Sequence, residues 1–188
     1  MPTFSSNNFI SFLVELGEKE DLYGWALIPS NDHIVENLSY HLERLLPYYK
    51  SIAPPPSILE NIINKRNLLK VAESVGTPIP ATCYPGITGY DSLRFPVLIK
   101  GVKGLSFYKA THKKAIEVED IKDLKLQIRQ VTSFVPDKDI MIQELIPYDV
   151  SHKIVSFTCF AKKGDILTYW MGEKVREHPI KYGTATCS

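Results

Sequence analysis

The triplet Pro54-Pro55-Pro56 is the feature that most constrains how this chain can fold. Proline lacks a backbone N–H donor and its φ angle is restricted, so three prolines in succession cannot continue a helix or a central strand. The chain has 188 residues, a little more than one average domain. We therefore predict a small unit before the prolines and a larger one after them.

The segment before the prolines has the pattern of a partial α/β unit, residues 1–53. Apolar spacing predicts a helix over 9–16 and a buried strand over 23–28. A second helix is predicted to be capped by Ser30 and to continue to Pro47. This segment contains no glycine-rich first turn, so it does not by itself resemble a complete nucleotide-binding domain.

The segment after the prolines predicts helices that are grouped rather than alternating with strands. Ser57 and Glu60 fit a capping box, which predicts one helix running through Lys65 and stopping at Gly76. The segment Lys163-Gly164-Asp165 predicts a hairpin turn between the last two strands. Strands are predicted over 95–100, 114–118, 140–145, 153–161 and 166–172, with one helix over 120–131. Strands that are neighbours in sequence, with helices set apart, indicate the α+β class.

Composition excludes several classes of partner. The 22 basic and 21 acidic residues leave a net charge of +1, so no overall field attracts nucleic acid or an anionic membrane. No apolar stretch reaches the length of a membrane span. A secretory signal begins with basic residues, and the first basic residue of this chain is Lys19. The three cysteines lack a CxxC pair, and the five histidines lack metal-ligand spacing. We predict a cytoplasmic protein with no metal ligands of its own and no nucleic-acid or membrane partner.

Two lysines are candidate anion-binding residues. Lys100 ends the apolar run Phe95-Pro96-Val97-Leu98-Ile99, and a buried ammonium needs an anionic or polar partner. The alternative is that Lys100 emerges into solvent at the strand end. Lys65 lies on the helix after the prolines, where the alternative is an ordinary solvated helix face.

Glu144 and Arg176 are the other candidate site residues. Glu144 follows an apolar strand, where a carboxylate can accept a hydrogen bond from an exocyclic amine, although glutamate is common on edge strands. Arg176 precedes the small-residue segment 183–186 and can hold an oxyanion, or can pair with Glu173 or Glu177 instead. Residues 101–104 predict only a short flexible turn.

Taken in order, these segments resemble the ATP-grasp superfamily, in particular carboxylate-amine ligases similar to the large chain of carbamoyl-phosphate synthase. No single motif is specific, but their order and spacing match the family. The segments that carry the resemblance are 62–66, 72–80, 95–100, 142–147, 172–179 and 183–186.

The resemblance implies a role for each candidate residue. Lys65 and Lys100 would contact the phosphates of ATP, and Glu144 would accept a hydrogen bond from the adenine amino group. Ile146 would contribute its backbone. The family's ribose-binding acid falls at Ser151 here, with Asp149 the nearest carboxylate. Arg176 is the candidate catalytic residue, as the holder of a substrate anion.

The resemblance also implies a domain division and an activity. Residues 1–53 would be a partial α/β unit of the domain that precedes the ATP-grasp module. Residues 57–138 would form the ATP-grasp small (lid) subdomain, and residues 139–188 would begin the large subdomain with its central antiparallel sheet. The implied function is the ATP-binding portion of a ligase that joins a carboxylate to an amine, or to a thiol, through an acyl phosphate. The alternative is a non-catalytic nucleotide-binding or assembly module.

The expected cofactors are ATP and Mg²⁺, and the expected substrates are a small carboxylate and an amine. The family's magnesium ligands follow the segment that matches 183–186, so we expect them beyond Ser188 and expect this chain to be a fragment of such a ligase. A fragment would leave Phe157, Phe160 and Trp170 partly uncovered, which predicts a homodimer.

Overall fold

The chain folds as a mixture of helices and several small β-sheets. Two compact units are present, Met1–Ile79 and Pro80–Ser188, named here the amino-terminal and the carboxyl-terminal unit. Among the described helices, none has the length and apolar character needed to cross a membrane. The division predicted at 53–57 from the proline triplet, and that predicted at 138–139 from the family resemblance, stay predictions. The computed structural model describes residues 7–51, 53–86, 89–146, 154–178 and 181–187.

The amino-terminal unit consists of helices around a two-stranded parallel sheet. Its core joins Ile10, Leu38, Leu45 and Tyr49, and the Tyr49 hydroxyl donates a hydrogen bond of 2.7 Å to the Leu13 carbonyl. The helix predicted over 9–16 is confirmed. The elements are α1 (Asn7–Lys19), β1 (Trp25–Leu27), α2 (Asp32–Tyr40), α3 (Leu42–Leu45), β2 (Tyr49–Ser51), α4 (Pro56–Ile63) and α5 (Lys65–Ser74).

The helix predicted between Ser30 and Pro47 differs from the prediction at its start and in its middle. Asn31 is the N-cap, since its Oδ1 accepts a hydrogen bond of 3.1 Å from the Ile34 N–H. His41 then leaves helical geometry, with φ −123° and ψ 23°, and separates α2 from α3. Histidine has low helix propensity, so a break there is inexpensive.

The helix predicted from Ser57 onward is also two helices. Asn64 adopts an extended conformation between them, and its Oδ1 accepts hydrogen bonds from the N–H groups of Arg66 (3.1 Å) and Asn67 (3.3 Å). The predicted capping box is wrong because α4 already begins at Pro56. A proline fits the first helical position, where its missing N–H would have no intrahelical partner.

The strand predicted as buried over 23–28 is short and exposed. Tyr23, Trp25 and Ile28 keep 58%, 64% and 75% of their surface accessible. Within the described ranges strand β1 pairs with β2 alone, and a sheet of two strands has little area with which to cover its own side chains. The prediction of burial is therefore wrong, although a strand is present.

The carboxyl-terminal unit is built on a four-stranded antiparallel sheet in the order β3-β6-β4-β5, accompanied by two separate hairpins, β7-β8 and β9-β10. All five predicted strands and the helix predicted over 120–131 are confirmed, with ends shifted by a few residues. The elements are β3 (Thr82–Cys83), β4 (Val97–Gly101), α6 (Gly104–Thr111), β5 (Ala115–Val118), α7 (Ile121–Thr132), β6 (Ile140–Glu144), β7 (Val155–Lys162), β8 (Asp165–Glu173), β9 (Arg176–His178) and β10 (Thr184–Cys187).

Alternation along β4 gives the sheet two different faces. Val97 and Ile99 are fully buried in a core that includes Leu124 of α7. Leu98 and Lys100 occupy the intervening positions, and successive side chains of a strand point to opposite faces. Lys100 is therefore carried on the face opposite the core.

Helix α6 follows β4 after only two residues, so the short flexible turn predicted over 101–104 is wrong in extent. Gly101 ends the strand where α6 packs closely on it. A Cβ atom at this position would lie 2.2 Å from the Cβ of Phe107 and 2.8 Å from the Lys103 carbonyl oxygen. Only glycine fits this junction without displacing the helix.

The hairpin β7-β8 turns where predicted, at Lys163 and Gly164, while Asp165 already belongs to β8. Lys163 and Gly164 both have positive φ, 54° and 94°, as a tight hairpin turn requires. Phe157, Phe160 and Trp170 are each more than half exposed, at 54%, 57% and 53%. The predicted exposure of these side chains is confirmed, and the homodimer stays a prediction.

Candidate functional site

A cavity of about 960 Å³ lies within the carboxyl-terminal unit. Lys100, Glu144, Ile146 and Arg176 all line it, so the structure brings together four residues that sequence analysis singled out separately. Its sheet-derived lining comes mainly from the face of the four-stranded sheet opposite the core. Sites for small molecules typically measure roughly 300–1,000 Å³. The cavity is therefore at the large end of that range.

A chain of hydrogen bonds holds Lys100 on the sheet. Its Nζ donates to Oε1 of Gln143 at 2.8 Å. Nε2 of Gln143 donates to Oγ1 of Thr82 at 3.0 Å, and the Thr82 hydroxyl donates to the Pro80 carbonyl at 2.8 Å. Lys100 is half-buried, so it does not simply emerge into solvent as the alternative interpretation had it.

Glu144 lies at the end of β6 and lines the cavity, with its carboxylate engaged by Arg94. Oε1 accepts a hydrogen bond of 2.7 Å from the Arg94 backbone N–H, and Oε2 lies 3.6 Å from the guanidinium Nη2. The chain then leaves the sheet, with the Leu145 N–H donating to the Pro96 carbonyl at 3.1 Å. These contacts fix the backbone where the cavity meets the end of β6.

The residues after β6 carry the remaining predicted contacts of the nucleotide. Ile146 lines the cavity and is 67% exposed. Asp149 and Ser151, the candidates for the ribose, lie outside the described residues. Their predicted role therefore stays a prediction.

The wall formed by β9 holds Arg176 and a lysine that sequence analysis did not single out. Lys174 donates to Oε2 of Glu177 and, at 3.0 Å, to the Gly183 carbonyl, which ties the segment before β9 to the residue before β10. Glu177 thus pairs with Lys174 rather than with Arg176, and the Arg176 side chain is exposed. An exposed guanidinium presents a planar fork of donors suited to a carboxylate or phosphate.

A third polar group in the cavity joins β5 to the segment before β10. The Tyr182 hydroxyl donates a hydrogen bond of 2.7 Å to Oε2 of Glu117, and Lys181 Nζ lies 3.4 Å from the same oxygen. The hydrogen bond from Tyr182 and, to a lesser extent, Lys181 lower the pKa of Glu117 despite its partial burial. Burial, followed by the Glu117 carboxylate, raises the pKa of Tyr182.

Lys65 belongs to the amino-terminal unit, where it is the first residue of α5. Its side chain is half-buried rather than solvated, and burial lowers its pKa while the nearby Asp32 carboxylate acts in the opposite direction. The ordinary solvated helix face is therefore not what the structure shows. The predicted contact of Lys65 with phosphate stays a prediction.

Sequence reasoning missed several residues that line the cavity. Gln143 could have been found, because it is a polar residue inside an apolar strand. Once β4 and β6 are paired, it lies on the same face of the sheet as Lys100. Lys174, Glu117 and Tyr182 carry no comparable signal. Glu117 and Tyr182 are 65 positions apart, and only the fold brings them together.

Comparisons with known proteins give matches among solved structures. No protein-family model and no curated protein matches the sequence. The chain is similar to N5-carboxyaminoimidazole ribonucleotide synthetase from Thermotoga maritima, with a TM-score of 0.49 and 20% identity over 84% of this chain and 39% of that one. It is also similar to D-alanine–D-alanine ligase from Bacillus anthracis, with a TM-score of 0.52 and 15% identity over 89% of this chain and 58% of that one.

This chain spans less than two thirds of the length of either structure, 39% and 58%. The likeness to the D-alanine–D-alanine ligase concerns the fold alone, and the resemblance to the ATP-grasp superfamily stays a prediction. The particular likeness to carbamoyl-phosphate synthase, and the assignment of subdomains, stay predictions.

The Mg²⁺ implied by that resemblance would need oxygen ligands held close together. In the described ranges there is no group of three or more His, Cys, Asp and Glu side chains that could hold a metal ion. The described residues therefore do not fit the ion.

Proposed function

We propose that this chain is the nucleotide-binding portion of an ATP-dependent ligase that joins a carboxylate to an amine or a thiol. The convergence of Lys100, Glu144, Ile146 and Arg176 on one cavity carries the proposal. The fold shared with a D-alanine–D-alanine ligase supports it. Each of these four residues comes from a segment that resembles the same superfamily. Because they line one cavity, a single ligand bound there could contact all four.

The phosphates of ATP would be bound at the Lys100 end of the cavity. Two unit charges 4 Å apart attract by about 4 kcal/mol at an effective dielectric near 20, the value suited to groups near a protein surface. The Lys100 ammonium is half-buried and fixed by Gln143, so less side-chain freedom remains to be lost on binding. A lysine held in this way is suited to a phosphate.

The adenine would lie at the end of β6, against Glu144 and Ile146. Apolar side chains of this region, Leu98 and Leu145 among them, line the cavity and offer a surface for a flat base. The Glu144 carboxylate retains acceptor capacity beside its contacts with Arg94, since each carboxylate oxygen has more than one lone pair. It would therefore accept a hydrogen bond from the exocyclic amino group.

Arg176 would hold the carboxylate that is activated. In the proposed reaction a carboxylate oxygen attacks the terminal phosphorus of ATP, the bond to the bridging oxygen breaks, and ADP leaves. The amine nitrogen, or the sulfur of a thiolate, then attacks the acyl carbon of the acyl phosphate, the bond from that carbon to the phosphate oxygen breaks, and inorganic phosphate leaves. An attacking amine also gives up a proton to solvent. The guanidinium would stabilise negative charge on the carboxylate and on the acyl phosphate. A non-catalytic nucleotide-binding module would use the same cavity without these steps.

Isothermal titration calorimetry with ATP and Mg²⁺ tests the binding proposal. The wild-type chain is compared with Lys100→Ala plus Glu144→Ala, and with Lys125→Ala, which removes an exposed lysine of α7 that is not among the cavity-lining residues. We expect the double variant to lose at least about tenfold in affinity, or ~1.4 kcal/mol. Lys125→Ala should bind as the wild type does.

Equal heats for the wild type and the double variant would overturn the proposal. The reaction is tested separately, by measuring ADP release with Mg²⁺ and mixtures of small carboxylates and amines. Release that depends on a carboxylate and is lost in Arg176→Ala supports the ligase. Binding of ATP without such release favours the non-catalytic module.

A further inference from the structure

We propose that Gln143 is a positioning residue that orients the Lys100 ammonium for a phosphate group. This inference rests on the proposed function, because it concerns how the same cavity would hold a nucleotide. Gln143 would act through Lys100. The observation behind it is the hydrogen-bonded chain from Lys100 through Gln143 and Thr82 to the Pro80 carbonyl.

The direction of every bond in this chain is determined by chemistry. The Lys100 ammonium has donors only, so the Gln143 group that faces it must be the acceptor Oε1. The amide Nε2 is then left to donate to Thr82 Oγ1, whose own proton goes to the Pro80 carbonyl. A carbonyl accepts only, so the chain cannot be reversed. Lys100 is therefore anchored to the main chain by a relay with one orientation.

The place of Gln143 in the sheet makes the relay rigid. Gln143 lies on β6 between Thr82 on β3 and Leu98 on β4, with Lys100 two residues further along β4. It is 8% exposed and, with Ser39 of the other unit, is one of the two buried polar side chains among the described residues. An apolar residue would fill this strand position without needing hydrogen-bond partners. The presence of the Gln143 amide at this position is explained by its hydrogen bond to the Lys100 ammonium.

A neutral amide suits this task better than a carboxylate. Glutamate at 143 would place a negative charge within 3 Å of the ammonium and would compete with phosphate for it. An amide fixes the position of the ammonium without cancelling its charge. The inference therefore predicts that Gln143→Glu, which preserves size, harms binding of phosphate-bearing ligands.

The experiment measures affinity for adenosine, AMP, ADP and ATP by isothermal titration calorimetry. In Gln143→Glu we expect affinity for ATP to fall by about tenfold, or ~1.4 kcal/mol, while affinity for adenosine stays within about twofold. Thr82→Val removes the middle of the relay and should give a smaller loss of the same kind. Thr82→Ser keeps the hydroxyl and should restore wild-type affinity for ATP.

Three results would overturn the inference. Unchanged ATP affinity in both Gln143→Glu and Thr82→Val would leave the proposed function intact and show that the relay has no role in binding. An equal loss for adenosine and ATP would show that Gln143 only maintains the fold. Failure of the wild type to bind any of these ligands would remove the proposed function and this inference with it. Should Gln143→Glu not fold, as judged by circular dichroism, the comparison of Thr82→Val with Thr82→Ser decides.

Discussion

The Tyr182 hydroxyl donates a hydrogen bond of 2.7 Å to Oε2 of Glu117, and this bond joins the segment before β10 to strand β5. The bond stabilises the ionised carboxylate and therefore lowers the pKa of Glu117. It is the largest contributor to that shift. Because the pKa of Glu117 is lowered in the folded chain, its contribution to stability is present above its ordinary value of 4.5. That contribution is lost as the pH falls through the lowered pKa.

The first prediction follows from this bond. Tyr182→Phe removes the donor, so the pKa of Glu117 should rise toward its ordinary value, as measured by a ¹³C NMR titration of the Glu117 carboxyl group. Lys181→Gln should cause a smaller rise, since Lys181 is the weaker contributor. A Glu117 pKa that is the same in Tyr182→Phe and in the wild type would contradict the structure.

The second prediction concerns Lys65, whose role rests on the family resemblance. Lys65→Met removes a half-buried cation from the first turn of α5. If that ammonium meets a phosphate, affinity for ATP should fall by about tenfold, or ~1.4 kcal/mol, with adenosine unaffected. Lys70→Met, an exposed lysine of the same helix, is the matched control. Equal ATP affinity in the two variants would argue against a phosphate contact for Lys65.

The third prediction tests the junction of β4 and α6. In Gly101→Ala the new Cβ would meet the Cβ of Phe107 at 2.2 Å and a backbone oxygen at 2.8 Å, so the helix must shift. Overpacking of this kind costs about 1–3 kcal/mol. We expect a corresponding fall in the free energy of unfolding measured with urea.

Gly89→Ala is the control for this substitution. Its φ of −65° suits alanine, and the nearest atom to a new Cβ would be 3.9 Å away. The structure predicts little change in the unfolding free energy there. A Gly101→Ala variant as stable as Gly89→Ala would show that the helix does not pack on β4 as described.

The fourth prediction concerns the exposed hairpin β7-β8. The rings of Phe157 and Tyr169 stack with centroids 5.5 Å apart on its surface, and both side chains are more than half exposed. Exposed apolar patches of this kind favour association. Sedimentation velocity should show dimers that increase with protein concentration and that are lost in Phe157→Ser.

Phe134→Ser provides the matched control, since Phe134 is an equally exposed aromatic residue of the same unit, at 55%. Dimers should persist in this variant. A wild-type chain that sediments as a monomer at every concentration would refute the predicted homodimer.

Strands were more predictable from the sequence than helix boundaries. The apolar runs of β4 and β6 have one dominant physical solution, burial in a sheet, and both strands lie where the pattern indicated. Asn64 is compatible with two structures, because asparagine is tolerated inside a helix and is also favoured as an N-cap. The apolar spacing on either side of Asn64 does not distinguish one long helix from two short ones. Helix α6 was missed because its glycine, serine and aromatic residues are weak helix formers.

The candidate site shows the same division. Lys100 could be recognised because an ammonium at the end of an apolar strand needs a partner, but that partner, Gln143, lies 43 positions away. Strand parity alone places both side chains on one face, provided that the pairing of β4 with β6 is known. The pairing depends on contacts that are distant in sequence, and it has no local signal.

The cavity described above is assembled from stretches that lie far apart along the chain, among them β4, β5, the end of β6 and β9. Loops between such stretches can lengthen or shorten over evolutionary time without moving the walls that they connect. A search for sequence motifs at fixed spacing would then miss relatives whose fold is preserved. For a protein built in this way, common ancestry remains detectable in the fold after it can no longer be detected in the amino-acid sequence.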